Sequence, residues 1–259
     1  VILPRGAGRY NWPHALLQEH LLAQLMERPD ARDIFIAASE ALGEHPLANQ
    51  RRIIRQRAAN MLYANEPELA AKLIFDWLTT AWNNAREPLS TLGDLELLKG
   101  HLEGRNLALK HRWSAEALRH LGKPEDATNH AEIARAGFEE IGDSENQANC
   151  LRLLGHLASE KGDSVEGAEL ATRAHEIFTE IGHVLGMAQS EAVLGEIYYL
   201  LGTYDRARVV IQAGEQHFAE LGQPLGRGQC LLLLSWIDHS EGLTERARRL
   251  TLGARTEFE

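Results

Sequence analysis

The chain has 259 residues, 44% of them hydrophobic and 25% charged, which is typical of a folded globular protein. Its formal net charge of −10 argues against nucleic acid or an anionic membrane as the main partner, because both bind basic surfaces. No run of 18 apolar residues could form a membrane span. Two cysteines are too few for a disulfide framework, so we expect a cytoplasmic protein.

Residues 1–104 are expected to form an irregular helical region, either a simple cap or degenerate repeats. Apolar periodicity predicts helices over Trp12–Met26, Ala31–Leu42, Leu47–Tyr63, Pro67–Asn84 and Leu89–Glu103. The chain begins "VILPRGAGRY", with neither an initiator Met nor the apolar core of a signal peptide, so we expect it to be part of a longer protein. The stretch "RYNWPHALLQEHLLAQL" resembles the segment that joins a winged-helix module to helical repeats in large bacterial signalling ATPases.

A basic run, "RRIIRQR", lies within the third predicted helix. It places Arg51, Arg52, Arg55 and Arg57 around much of the helix surface. Charge runs of this kind usually form a solvated face, and we expect nearby acidic residues to offset it. The alternative is a contact with phosphate or with an acidic partner.

From Asn106 onward the chain repeats itself every 40 residues. Two columns of turn glycines recur at this interval, Gly122, Gly162, Gly202 and Gly242 in one and Gly142, Gly182 and Gly222 in the other. One phenylalanine column and two columns of small residues keep the same interval: Phe138, Phe178, Phe218 and Phe258; Ala127, Gly167, Ala207 and Ala247; Ala134, Ala174, Gly214 and Ala254. A fixed period of this length is the signature of a solenoid of stacked helical units.

Each period is expected to contain two antiparallel helices. Apolar residues between the glycine columns fall at helical spacing, and each glycine follows a helix end, where a positive φ costs glycine little. Asp163 and Thr203 are expected to cap the helices that follow them. The small residues are expected where the two helices cross, so Ala207 should point inward and Arg208 outward.

The L-G pair of the first helix, the glycine turn and the two small residues of the second helix resemble the tetratricopeptide repeat (TPR) family. They occur in "LLGHLASEKGDSVEGAELATRA" and "VLGEIYYLLGTYDRARVVIQAG". Leu151, Glu191 and Leu231 replace the family's usual tryptophan, and its closing proline is absent. The 40-residue period is similar to that of longer-helix members found in bacterial regulators and peptide-binding adaptors. The resemblance implies an all-α, right-handed α-solenoid with four TPR-like helix pairs over residues 105–259.

The sequence contains no recognisable catalytic set. "RGAGRY" lacks the G-K-[ST] ending of a phosphate-binding loop. Metal ligands on a helix stand three or four residues apart, so we expect separate, solvated side chains for four histidines spaced about ten apart: His101, His111, His120 and His130. Cys150 and Cys230 share one repeat column and are expected to be buried packing residues. We therefore expect a protein that is not an enzyme and uses neither a metal nor a cofactor.

In a TPR superhelix the first helices line the concave side, and the family binds its partners there. Helical spacing counted from the L-G pair of each first helix identifies the positions expected on this concave side. These positions hold polar or aromatic residues, whereas core positions would hold aliphatic ones. They are Arg112, Glu116 and Arg119; Asn149, Arg152, His156 and Ser159; Gln189, Glu196 and Tyr199; and Gln229, Trp236 and His239. We expect this set to form a partner-binding groove.

Two features of the expected groove suggest the chemistry of its partner. Arg112, Arg119, Arg152 and His156 are expected to form a positive patch that binds a carboxylate, from an acidic side chain or a free C-terminus. Trp236 is either a core residue or an exposed anchor for an apolar group.

These features favour a protein- or peptide-binding module of a larger bacterial regulatory protein. Two alternatives stay open: a small-molecule-sensing region of a signalling ATPase or kinase, and a self-assembly scaffold. The sequence does not decide the oligomeric state.

Overall fold

Helices account for all the regular secondary structure in the residues that the structure, a computed structural model, describes: 20–45, 49–81 and 87–259. The chain divides into two compact units, Val1–Asn106 and Leu107–Glu259. In the described ranges, no helix is both long enough and apolar enough to cross a membrane. The predicted all-α fold class is confirmed.

The first unit is a series of short helices that pack one on the next. After a helical stretch at 20–26, these are α1 (Ala31–Gly43), α2 (Arg51–Tyr63), α3 (Pro67–Ala81) and α4 (Pro88–Leu97). The prediction that the last of these continues to Glu103 was wrong, because the chain turns at Gly100 with a φ of 75°. Most of the predicted helix at Trp12–Met26, with the stretch that resembles signalling ATPases, lies outside the described residues.

Two of the four clustered arginines neutralise a buried carboxylate. Asp94 on α4 is completely buried, and Arg51 Nη2 and Arg55 Nη1 lie 2.8 Å and 2.6 Å from its two oxygens. Nearby acids therefore offset this charge as expected. Arg51 is not solvated, however, since only 20% of its side chain is exposed. The basic run is in part an internal support of the first unit.

The second unit consists of helix pairs in regular succession. The first helices of the pairs are α5 (Gly104–His120), α7 (Ser144–Glu160), α9 (Val184–Leu200) and α11 (Pro224–Ser240). The second helices are α6 (Pro124–Glu140), α8 (Ser164–Glu180), α10 (Tyr204–Glu220) and α12 (Thr244–Phe258). The unit is thus a solenoid of helix pairs.

Turn glycines end the helices as the repeat predicts. The seven glycines of the two columns all have φ between 62° and 95°, where other residues are strained. Asp163 caps α8 as expected, since its carboxylate accepts a hydrogen bond from the Glu166 amide. The prediction for Thr203 was wrong, because its hydroxyl donates to the carbonyl of Tyr198 and leaves α10 without a side-chain cap.

Small residues allow the two helices of a pair to touch backbone to backbone. A Cβ on Gly155 would lie 2.7 Å from the carbonyl oxygen of Gly167, and a Cβ on Gly167 would lie 2.6 Å from that of Gly155. In the next pair, Ile211 packs against the bare backbone of Gly195, and Ala207 is fully buried. The close crossing predicted from the small columns is confirmed.

Arg208 does not point away from the protein as expected. Its Nη1 donates to the buried carboxylate of Asp238 at 2.7 Å and its Nη2 donates to Glu241 at 2.6 Å. Ala207 therefore marks the inward side of α10, and Val209, which is 68% exposed, marks its outward side.

Adding bulk at Ala207 should unfold the second unit at a lower denaturant concentration. Ala207→Leu forces three extra carbon atoms into a filled helix crossing, which should lower the free energy of unfolding by about 1–3 kcal/mol. Val209→Leu adds a larger side chain at an exposed position of the same helix and should change the free energy of unfolding by less than about 0.5 kcal/mol. Urea unfolding of both variants measures the difference. Equal midpoints would mean that Ala207 is not at the crossing.

Candidate partner-binding face of the first helices

Side chains link the four first helices into one continuous row. α9 packs directly against both α7 and α11. Arg119 on α5 donates to Glu160 on α7 at 3.0 Å, and His156 Nε2 on α7 lies 3.4 Å from Glu196 on α9. At the other end, Tyr199 on α9 lies beside Trp236 on α11, with ring centroids 6.1 Å apart. The row therefore has a charged end and an aromatic end on the same side of the unit.

At the charged end, arginines surround one nearly buried carboxylate. Glu116 is 12% exposed, and Arg119 Nε and Arg152 Nη2 approach its oxygens at 3.9 Å and 4.0 Å. Burial alone would raise the pKa of Glu116, but Arg152, Arg119 and Arg112 together hold it below its usual value. Burial lowers the pKa of Arg152, as do its arginine neighbours, and Glu116 offsets only part of this. Glu116 is thus the anion that keeps these arginines together.

Arg112 is the least satisfied member of this group. Its Nε is buried without a hydrogen-bond acceptor, and in the described part of the chain its guanidinium makes no ion pair within 4 Å. The guanidinium carbon stands 4.5 Å from the centre of the Trp113 ring, which holds it in place. An unpaired donor of this kind favours an anion from outside the protein.

His156 joins the charged group to α9 as an imidazolium. Its Nδ1 lies 3.1 Å from Glu160, and its Nε2 is the atom that faces Glu196. Burial lowers the pKa of His156, but the contacts with Glu160 and Glu196 outweigh it and raise this pKa to about 9. The side chain is therefore charged at neutral pH.

The expected positive patch is in fact close to neutral. Three of its cations, Arg119, Arg152 and His156, pair with Glu116, Glu160 and Glu196. Arg112 is the fourth cation, so one positive charge remains in surplus. The predicted positive patch is therefore largely offset by the protein's own carboxylates. What the structure provides is an ordered charge network with one unpaired guanidinium.

The aromatic end is exposed. Trp236 is 48% exposed, so the alternative that it belongs to the core was wrong. Its neighbour Tyr199 also stacks against Tyr204 at 5.7 Å, and its hydroxyl lies 3.3 Å from that of Ser240. The ring of Trp236 is thus held beside a supported tyrosine with nearly half its surface free.

The remaining predicted positions make few contacts within the first-helix row. Asn149 is hydrogen-bonded to the carbonyl of Glu145 on its own helix. Three side chains on the first helices make no hydrogen bond or ion pair with described residues: Gln189, Gln229 and His239. Ser159 was misplaced, since it is buried against Ser164 at the turn within its own pair.

Sequence reasoning missed Glu160, the carboxylate shared by Arg119 and His156. The signal was available. Glu160 lies 41 residues after Arg119, close to one repeat, and four after His156. Opposite charges one period apart face each other across neighbouring first helices.

Two of the histidines expected to be separate form a pair. The Nδ1 atoms of His111 on α5 and His130 on α6 lie 2.8 Å apart. Burial is the main cause that lowers the pKa of both, and the proximity of Lys110 adds to it. The prediction that these histidines are separate considered spacings within one helix only. His111 and His130 are 19 residues apart, which is nearly the offset between the two helices of a pair, so they face each other across that pair. No group of three or more possible ligands in the described residues could hold a metal ion.

The two cysteines are buried as expected. Neither Cys150 nor Cys230 is exposed, and burial raises the pKa of each thiol to about 12. A thiol that is neutral at physiological pH is a poor nucleophile. Both therefore serve as small core residues.

No protein-family model and no curated protein sequence matches this chain. Several crystal structures match it in fold. A Rap protein complexed with Competence and Sporulation Factor matches with a TM-score of 0.66 at 12% identity, over 95% of this chain and 76% of the Rap chain. Aspartyl phosphate phosphatase F from Bacillus subtilis matches with a TM-score of 0.60 at 12% identity, over 97% of this chain and 76% of the phosphatase chain.

A signal-transduction ATPase with numerous domains from Pyrococcus horikoshii, which carries a TPR sensor, also matches. Its TM-score is 0.59 at 14% identity, over 90% of this chain and 41% of the ATPase. At such identities the likeness shows the fold alone. The TPR-like helical fold is therefore confirmed, whereas these structures do not show whether they share the 40-residue period.

Removing the central carboxylate should destabilise the second unit. Glu116→Gln leaves the surrounding guanidinium groups without their shared counter-ion, which should lower the free energy of unfolding by about 3 kcal/mol. Glu139→Gln breaks an exposed pair with Arg135 and should cost less than about 1 kcal/mol. Chemical denaturation at pH 7 tests both. Similar small losses would show that the arginines do not depend on Glu116.

The His156 network should weaken in alkaline solution. Because folding raises the pKa of His156, its stabilising contribution is complete below the unfolded value of about 6.5 and is lost as pH rises through about 9. The stability advantage of the wild type over His156→Gln should therefore shrink between pH 7 and pH 10. NMR titration of the imidazole supplies the direct measurement, and a midpoint near 6.5 would contradict the assignment.

Proposed function

We propose that the first-helix face of Leu107–Glu259 is a concave groove that binds a segment of another protein or a peptide. In this proposal the chain performs no catalysis and is the interaction or sensor region of a larger regulatory protein. The observation that carries the proposal is the exposed Trp236, held beside Tyr199 at the end of an ordered polar row.

The aromatic end provides the apolar anchor. Exposed tryptophans on rigid helices contribute strongly to interfaces, because a large apolar surface is buried at little cost in side-chain entropy. Tyr199 is already ordered by Tyr204 and Ser240, so binding does not have to order it. A partner would place an apolar side chain here.

The charged end provides the polar contact. Arg112 has a buried Nε without an acceptor, and the network carries one surplus positive charge. A carboxylate from an acidic side chain or a free C-terminus would accept a hydrogen bond from Arg112 and balance the surplus charge. Such a charge-assisted contact contributes about 1.5–3 kcal/mol, which is tenfold or more in affinity.

Two of the similar structures support a binding role by analogy. The Rap protein is complexed with Competence and Sporulation Factor, and the archaeal ATPase uses its TPR region as a sensor. Both observations concern those proteins. Because this chain matches 41% of the ATPase, a role as one region of a larger regulator is also proposed by analogy.

Selection from a random peptide library with free C-termini tests the proposal. We expect the enriched peptides to combine a carboxylate with a large apolar residue. Trp236→Ala and Arg112→Gln should each weaken binding at least tenfold, measured by fluorescence anisotropy. Both variants should stay folded, which far-UV circular dichroism checks, since Trp236 is half exposed and Glu116 keeps Arg119 and Arg152 as neighbours when Arg112 is removed.

Two matched variants control for non-specific loss. Ile133→Ala removes an exposed apolar side chain from α6, and Arg248→Gln removes an exposed cation from α12, both on second helices. Neither should change peptide affinity. Equal losses in all four variants would place the binding site elsewhere. Concentration-dependent assembly in light scattering, weakened by Trp236→Ala, would instead support a scaffold.

A further inference from the structure

Two histidines that the proposed peptide groove does not use face each other within the first helix pair of the second unit. The Nδ1 atoms of His111 on α5 and His130 on α6 lie 2.8 Å apart. Their ring centres are 4.9 Å apart, and the ring planes are tilted by 35°. Both side chains are partly exposed. The two helices thus present a pair of nitrogen donors that solvent can reach.

The repeat shows that the fold does not need histidine at either position. Forty residues later the two positions hold Leu151, which is 2% exposed, and Leu170, which packs against the same apolar cluster. In the last repeat they hold Leu231 and Leu250. The other polar residue at these positions, Glu191, is held by histidines of α8 and α10. Leucine therefore satisfies the packing, and the histidine pair adds donor chemistry that the packing does not require.

Both imidazoles are uncharged at neutral pH. Burial lowers the pKa of His111, and the neighbouring His130 and Lys110 lower it further. Burial also lowers the pKa of His130, with Lys110 acting in the same direction and Asp126 in the opposite one. A neutral imidazole has a lone pair with which it binds metal ions. Because Lys110 and Asp126 carry opposite charges, the type of donor selects the ligand here, and net charge does not.

The spacing of the two donors indicates the geometry of the ion. Imidazole nitrogens bind late transition metals at about 2.0–2.1 Å. Two such nitrogens are about 2.8–3.0 Å apart when they bind at a right angle and about 3.3–3.4 Å apart at the tetrahedral angle. The observed 2.8 Å agrees with the right angle, which is typical of tetragonal Ni²⁺ and Cu²⁺ sites.

We infer that His111 and His130 together bind a divalent transition-metal ion of tetragonal geometry, Ni²⁺ or Cu²⁺, through their Nδ1 atoms. One Nδ1 now donates to the other, so the donating ring moves its proton to Nε2 when the ion binds. The described residues supply no third protein ligand, and water completes the coordination. The bound ion links α5 to α6 reversibly. This site is independent of the proposed peptide groove.

Titration of the full chain with Cu²⁺ and Ni²⁺ tests the inference. Isothermal titration calorimetry at pH 7.5 should show one strongest site per chain. His111→Leu and His130→Leu should each weaken this site at least tenfold, and both should fold because the next repeat has leucine at these positions. His239→Gln removes an exposed histidine from α11 and should leave the affinity unchanged. Circular dichroism checks that all three variants are folded.

Electron paramagnetic resonance of the wild type gives a test that does not depend on any variant. With less than one equivalent of Cu²⁺, the spectrum should show hyperfine splitting from two imidazole nitrogens. Ni²⁺ should also raise the melting temperature of the wild type but not that of His111→Leu, and Mg²⁺ should raise neither, because it prefers oxygen ligands. A spectrum without the two-nitrogen splitting overturns the inference, as does full affinity in the folded leucine variants or an equal loss in His239→Gln.

Discussion

Where α7 crosses α8, the carbonyl oxygens of Gly155 and Gly167 occupy the space that a side chain on either residue would need. The two helices can approach this closely only because both positions are glycine. The approach brings α8 near enough to pack on α9 as well, so each inner helix is buried on two sides. The surfaces left for function are then the row along the first helices and the grooves between the second helices.

Charged residues inside such a tightly packed array must be neutralised locally, because burying an unpaired charge is costly. The second unit holds its buried carboxylates with hydrogen bonds or ion pairs from other helices. Glu191 stands where TPR proteins usually carry tryptophan, and it is buried between His175 of α8 and His217 of α10 at 3.2 Å and 2.8 Å. Asp238 is enclosed by arginines from α10 and α12. Each of these two carboxylates therefore contacts one side chain of its own helix pair and one of the preceding pair.

Periodicity within the sequence was sufficient to predict the fold, whereas these pairings also require the arrangement of neighbouring helices. The glycine and small-residue columns act through the backbone of their own helix pair, so their spacing alone predicts turns and crossings. The partners of Arg208 and Arg119 lie 30 and 41 residues away, and that of His111 lies 19 residues away. No single-helix spacing reveals them, since what brings them together is the packing of one helix on another. The exposure of Trp236 likewise depends on which neighbour covers it.

Repetition with local divergence gives helix α9 two different faces. Tyr198 and Tyr199 are successive residues of this helix and project about 100° apart. Tyr198 therefore packs against the buried residues Ala171 and Leu194, while Tyr199 supports Trp236 in the first-helix row. In the next repeat the register position of Tyr198 holds Asp238, whose carboxylate pairs with Arg208 and Arg246. The turn glycines Gly202 and Gly242 keep their positions and their positive φ. The backbone pattern that builds the solenoid therefore tolerates an apolar face in one repeat and an ionic one in the next, because the repeat fixes only the glycines and the small residues.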